Sequence, residues 1–266
     1  MKYSTMLLFS GFVILSACNE KSEKSKWLPD VTNKDHGPLK QKEISGDFDE
    51  IEVSQAIEAE VIKSDVEKIV ISAPANIIDE ILVENSGGKV HIHYKSGIRV
   101  MNTNKVTAKI YAKDFVKLVA NSAASIDVKD KFMQEKTDIE ASSAASITGH
   151  IEANDLDLSV DSSSSFEGKV WAVDLNVDAS SGASLSISGK SKNANVSSSS
   201  GSSISGKGVV VENLKAEASS GASLEMSASS TVDAEASSGG SVSVYKKGNL
   251  TTVKKEESSG GSVTIE

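Results

Sequence analysis

From Leu175 onward, alternate positions read Leu175, Val177, Ala179, Ser181, Ala183, Leu185 and Ile187, and the positions between them are polar or glycine. A period of two is the pattern of a β-strand, not of a helix. The large side chains stand at the two ends of the segment and the small ones in the middle. A β-segment bent at its centre needs that arrangement, because the inside of a bend has no room for leucine. This predicts that Ser181 faces into the narrow corner, where a buried hydroxyl must find a partner. Gly182 would permit the turn.

The segment ASSGASLSISG recurs with variations through the second half of the chain. Aligned on the apolar residue after each serine cluster, the copies place Ile126, Ile147, Phe166, Leu185, Ile204, Leu224, Val242 and Val263 in one column. The steps are 21, 19, 19, 19, 20, 18 and 21 residues. The residue four positions earlier is serine in every copy: Ser122, Ser143, Ser162, Ser181, Ser200, Ser220, Ser238 and Ser259. A single copy cannot bury its own apolar face, whereas copies stacked about 4.8 Å apart bury it and pair every strand with two neighbours. Like-on-like columns are what parallel, in-register stacking requires. The predicted fold is therefore all-β, a parallel right-handed β-helix of rungs of about 20 residues. A disordered Ser/Gly linker is the rival reading, and the regular spacing of the aliphatic residues argues against it.

Residues 44–115 are also strand-like but less regular. Asn85-Ser86-Gly87-Gly88 reads as a turn between two strands, and 76–81 fits either a strand or a helical turn. This part is expected to form the first, wider rungs and to cap the repetitive part, 116–266.

The N-terminus carries a different signal. Lys2 precedes a short apolar run, MLLFSGFVIL, which is too short for a relaxed membrane span. Leu15-Ser16-Ala17-Cys18 follows, with small residues before the one cysteine in the chain. This resembles the lipobox of bacterial lipoproteins. It implies a signal peptide over 1–17, diacylglycerol attachment at Cys18, and a polar tether over 18–43. A lipid-anchored protein of the cell envelope, at the outer membrane, is the expected location. The net charge of −9 argues against nucleic acid as a partner. Aromatics make up only 5% of the chain, so aliphatic and small side chains must fill the core.

The run GDFDEIEVSQAIEAEVIKSDVEKIVISAPANIIDEILVENSGGKVHIHY, followed by the Ser-Gly-Ala-Ser rungs, resembles the head GIN domain family, the head domain of autotransporter adhesins. The resemblance covers about residues 40 to 266. It implies a β-helical fold, a Bacteroidetes-type envelope and an adhesive role.

Catalytic residues are not identifiable. Polysaccharide lyases and hydrolases built on β-helices use clustered carboxylates with Arg or Lys, and this chain has one arginine, Arg99. Acidic residues recur on the outer positions: Glu140, Asp178, Glu217, Glu235 and Glu256 in one column, with Asp138, Asp157 and Asp233 two residues earlier. Stacked, they would repel unless water screens them or a cation bridges them. A weak calcium site at Asp138, Glu140 and Asp157 is one expectation and a solvated face the other, with Lys117, Lys215 and Lys254 interrupting the stripe. His91 and His93 share one strand face, without a recognisable third zinc ligand. Ser143, Ser162, Ser181, Ser200, Ser220, Ser238 and Ser259 form the expected structural ladder, beside a plain Ser/Gly surface interrupted by Trp171 and Phe166. The expected function is non-enzymatic binding of a glycan or protein, with no cofactor and with weak end-to-end association of copies. A degenerate carbohydrate enzyme and a structural spacer are the alternatives.

Overall fold

The computed structural model of the chain describes residues 37–97 and 106–266. The expected signal peptide over 1–17, Cys18 and Arg99 lie outside the described residues. Among the described residues no helix is long and apolar enough to cross a membrane.

Eight strands precede the long repeats: β1 (Leu39–Ser45), β2 (Glu50–Val53), β3 (Glu58–Lys63), β4 (Lys68–Pro74), β5 (Ile81–Ser86), β6 (Lys89–Tyr94), β7 (Thr107–Ala112) and β8 (Lys117–Ala120). The rungs follow as β9 (Ser125–Ala141), β10 (Ser146–Val160), β11 (Ser165–Ala179), β12 (Ser184–Ser198), β13 (Ser203–Ala218), β14 (Ser223–Ala236), β15 (Ser241–Lys246), β16 (Thr252–Glu257) and β17 (Ser262–Ile265). From β9 onward every pairing is parallel and joins one rung to the next. The molecule is a β-solenoid.

The register is the one the repeat predicts. Ile126, Ile147, Phe166, Leu185, Ile204, Leu224, Val242 and Val263 pair in succession and are all buried. Leu156 stacks on Leu175, and Leu158 on Val177. Uneven repeat lengths are absorbed at bends, where the register shifts between Gly149 and Ile151, between Ser186 and Ser188, and between Gly206 and Val210. Phe166 is therefore a core residue and does not interrupt the outer surface; Trp171 is 43% exposed.

The serines of the turn lie opposite to expectation. Ser143, Ser162, Ser181, Ser200, Ser220, Ser238 and Ser259 are exposed, not turned into the corner. Their backbones explain why. Ser181 has φ 53° and Gly182 φ 73°, and the Ala183 N–H donates to the Ser180 carbonyl at 3.0 Å. Two successive residues at positive φ make a turn of type I′ character. Period-two counting assumes extended backbone, so it fails across this pair: Ala179 and Ala183 both point inward, and the two residues at the turn's apex point out. The ladder that joins the turns runs through peptide groups. The amide of Ala144 donates to the Ser162 carbonyl at 3.0 Å, Ser163 to Ser181 at 3.0 Å, Gly182 to Ser200 at 3.1 Å and Gly201 to Ser220 at 3.1 Å.

Hydroxyls do occupy the inside of the corner, two residues to either side. Ser164, Ser198 and Ser202 are buried. Ser164 Oγ donates to the Ala141 carbonyl at 2.6 Å, Ser202 Oγ donates to that of Ala179 at 2.8 Å, and the Ser198 and Ser202 hydroxyls lie 2.9 Å apart. Alanine takes the same place in other rungs, as at Ala145, Ala183 and Ala222. The expected result of Ala183→Leu is overpacking of this corner and a loss of about 1–3 kcal/mol. Urea denaturation measures it, and an unchanged midpoint would contradict the placement.

The first half does form a rung and a cap. Strands β2 and β3 are joined by Gln55 and Ala56, both at positive φ, and the Ala56 amide donates to the Ser122 carbonyl at 2.9 Å. This is the same turn without its serine. Strands β6 and β7 pair with β2 and β3 on one side of that rung, and β8 and β9 pair with them on the other. Beyond β6 and β7 the pairing turns antiparallel, with β5 on β6, β4 on β7 and β1 on β4. The Asn85–Gly88 turn joins β5 to β6, and 76–81 contains one 3-10 turn, Ile78–Glu80. At the other end, Lys255 and Glu257 take the register positions of buried Ala234 and Ala236. Charges at inward positions of an outer strand blunt it against pairing.

Candidate functional site

Stacking converts each outward position into a column of side chains along the solenoid. The acidic columns form as the repeat predicts, with Asp138 beside Asp157, and Glu217, Glu235 and Glu256 in succession. At the three residues expected to hold calcium, lysines stand beside the carboxylates. The Lys117 ammonium donates to Asp138 at 2.9 Å and also to Glu140, while Lys136 lies 3.3 Å from Asp157. Asn176 donates to the other Asp157 oxygen at 2.8 Å. Hydrogen bonds to Glu140 and Asp138 hold the Lys117 ammonium well above the usual lysine range. Lysines thus relieve part of the repulsion along the stripe, at Asp138, Glu140, Asp157, Glu217, Asp233 and Glu256. Among the described residues no three His, Cys, Asp or Glu side chains are grouped to hold a metal ion.

His91 and His93 do share a face of β6, and their rings stack with centroids 4.2 Å apart. His91 Nε2 lies 2.8 Å from Ser54 Oγ and 3.5 Å from Glu52 Oε1. Lys89 lies 2.7 Å from the other Glu52 oxygen, and Asn121 donates to Oε1 at 2.9 Å. Burial raises the Glu52 carboxyl, but the Lys89 hydrogen bond and the neighbouring His91 outweigh it and leave it below the usual range. Burial pushes the His91 imidazole down, against the pull of Glu52. Serine and acid meet the same ring nitrogen, whereas a nucleophilic relay needs them on opposite nitrogens. The cluster ties the cap to the first rung.

The feature that sequence reading passed over is a groove of 540 Å³ on the face formed by β11 to β14 and β16. One wall is the column Asp174, Asn193, Asn213 and Thr231; the other is Asn176, Asn195, Lys215 and Asp233. The residues between the walls, Leu175, Ala194, Leu214 and Val232, send their side chains into the core. The first wall is a hydrogen-bonded ladder. Asn193 donates to Asp174 at 2.7 Å, Asn213 to Asn193 at 2.9 Å, and Thr231 to Asn213 at 2.9 Å. The signal was present in the sequence, because these four residues recur at the repeat's own spacing.

No curated protein matches the chain. Its fold matches crystal structures that share little sequence with it. A protein described as a putative adhesin from Parabacteroides merdae superposes with a TM-score of 0.80 at 18% identity, over 86% of this chain and 97% of that one. One described in the same words from Parabacteroides distasonis gives 0.78 at 20% identity, over 87% and 98%. A protein from the same species described as a putative lipid binding protein gives 0.72 at 18% identity, over 86% and 97%. A family model described as "Putative auto-transporter adhesin, head GIN domain" matches residues 47–248. With its parallel rungs, capped first turn and that match, the chain belongs to the head GIN domain family.

Proposed function

We propose that the protein is a non-enzymatic binding head of the cell envelope, anchored by lipid at Cys18 to the outer membrane and adhesive toward a glycan or a protein. The observation that carries the reading is the polar-walled groove, in which hydrogen-bonding side chains, four of the eight of them asparagine, stack rung after rung on a regular frame. A broad, periodic, preorganised surface suits a repetitive partner, since little freedom is lost on binding. Related folds described as adhesins support the reading. The anchor rests on the sequence alone: Ser16-Ala17-Cys18 after an apolar run. Acyl chains contribute about 0.8 kcal/mol per buried CH₂, and two or more hold a protein firmly.

Intact cells carrying the wild-type protein or Cys18→Ser test both parts. The wild type should fractionate with membranes and bind cells to immobilised glycan or host-protein layers. Cys18→Ser should be found in the soluble fraction and lose that adhesion. Protease shaving of intact cells reports the side of the membrane. Equal membrane retention of both proteins would overturn the anchor. Release of reducing or unsaturated sugar ends from polysaccharide would overturn the non-enzymatic reading.

A further inference from the structure

The groove behind the adhesive reading also has a pitch and a set of polar groups that narrow its ligand to one class. Its walls repeat at the strand spacing of about 4.8 Å, and its five rungs extend roughly 19 Å along the solenoid. One rung is close to the length of one hexose unit in an extended chain. The ladder from Asp174 to Thr231 holds each amide in one orientation by spending one N–H per asparagine on its neighbour. A primary amide has two N–H groups, so each asparagine keeps a second donor, and Asp174 keeps a second oxygen. Donor and acceptor pairs at a fixed pitch complement the adjacent hydroxyls of a sugar. The floor is strand backbone, because Leu175, Ala194, Leu214 and Val232 turn their side chains inward and leave the space between the walls open.

Charge selects further. Asp174 and Asp233 line the groove with Lys215 and Lys254, but Lys215 also pairs with Glu217 and Lys254 with Glu256, so the groove offers no uncommitted positive charge in a chain of net charge −9. A polyanion would gain nothing there and would meet the protein's overall repulsion. A peptide recognised through its backbone needs an open strand edge. The groove lies on a sheet face, where the strands already pair with both neighbours.

We propose that the groove binds a neutral linear polysaccharide lying parallel to the solenoid axis, with about one sugar unit per rung. The inference rests on the adhesive reading and can fail without it. The test is calorimetric titration of the purified full-length protein with cello-, manno- and xylo-oligosaccharides of two to six units. Polygalacturonate oligomers and a mixed decapeptide library serve as comparators. Affinity for at least one neutral series should rise with length and level off at about four or five units. Asn195→Ala, at an exposed position, should weaken it about tenfold, the equivalent of one or two hydrogen bonds, with the melting temperature unchanged. Asn213→Ala, which breaks the ladder, should also weaken it, whereas Ser200→Ala on the turn edge should not. Neutral oligomers that bind equally well to Asn195→Ala and Asn213→Ala would overturn the site and leave the adhesive reading standing. Binding of only the acidic oligomers or the peptides would overturn the ligand class. Cells that adhere to glycan or protein layers while the purified protein binds none of these oligomers would also overturn the groove proposal. Cells that adhere to nothing would overturn the underlying function.

Discussion

Replacing Gly189 with alanine should destabilise the solenoid by about 3–5 kcal/mol, combining backbone strain with overpacking. Gly189 sits at a bend of β12 with φ 127°, a conformation that side chains on L-residues rarely adopt. A Cβ built there would lie 1.9 Å from the carbonyl oxygen of Val170 in the rung below. That oxygen belongs to the inter-rung ladder, so it cannot retreat without breaking strand pairing. Gly201→Ala is the matched control. Gly201 also has positive φ, 71°, but a Cβ there meets nothing within 4 Å. Alanine already occupies equivalent turn positions at Ala123 and Ala144. The control should cost about 1 kcal/mol, the left-handed penalty alone. Urea or thermal unfolding of the two variants separates clash from conformation; equal losses would show that close approach at the bend is unimportant.

The contrast explains what could be read from the sequence. The column from Ile126 to Val263 was legible because hydrophobic spacing reports directly on which residues share a face. The sides taken by the turn serines were not, because alternation carries information only while the backbone stays extended. Two residues at positive φ reset the count, and serine is not a residue whose identity announces that conformation. The first rung was hidden for a related reason. Its turn is Gln55–Ala56, and the column position after it holds Ala59 where later rungs hold Ile, Leu, Phe or Val. The stacked order of the cap was out of reach, since β6 and β7 lie across β2 and β3 from β8 and β9. No local pattern specifies that excursion.

The functional surface divides in the same way. Acidic residues were placed in the right columns, but the charge balance depends on long lysine side chains reaching across rungs. Lys136 reaches Asp157 from the preceding rung and from a neighbouring column. The asparagines of the groove were legible in principle, because they obey the repeat. The groove itself is not local to any one stretch of sequence, because its walls form only when the rungs stack.

Phe115→Ala should cost about 3–5 kcal/mol, the range for emptying a buried phenylalanine site. Phe115 lies in the crossing between β7 and β8, where the chain must pass the edge of the β2–β3 rung to reach its other side. The crossing is anchored by backbone bonds: Ser64 donates to the Ala112 carbonyl at 2.9 Å, and Val116 to that of Asp49 at 2.7 Å. The Phe115 ring is fully buried and packs on Phe132 with centroids 4.9 Å apart. Phe132 is the first inward residue after the interruption in β9, where the pairing with β10 skips Lys129, Asp130 and Lys131. The two rings therefore fill the place where the irregular cap meets the regular rungs, and small side chains nearby cannot replace them. Because the defect lies at a junction, its effect should be uneven. Amide exchange should speed up across β2, β3 and β8 while β12 and β13 keep their protection, as nearest-neighbour stacking allows. Uniform acceleration over all rungs would mean that cap and solenoid unfold as one unit. A loss below about 1 kcal/mol would mean that the ring does not hold the junction.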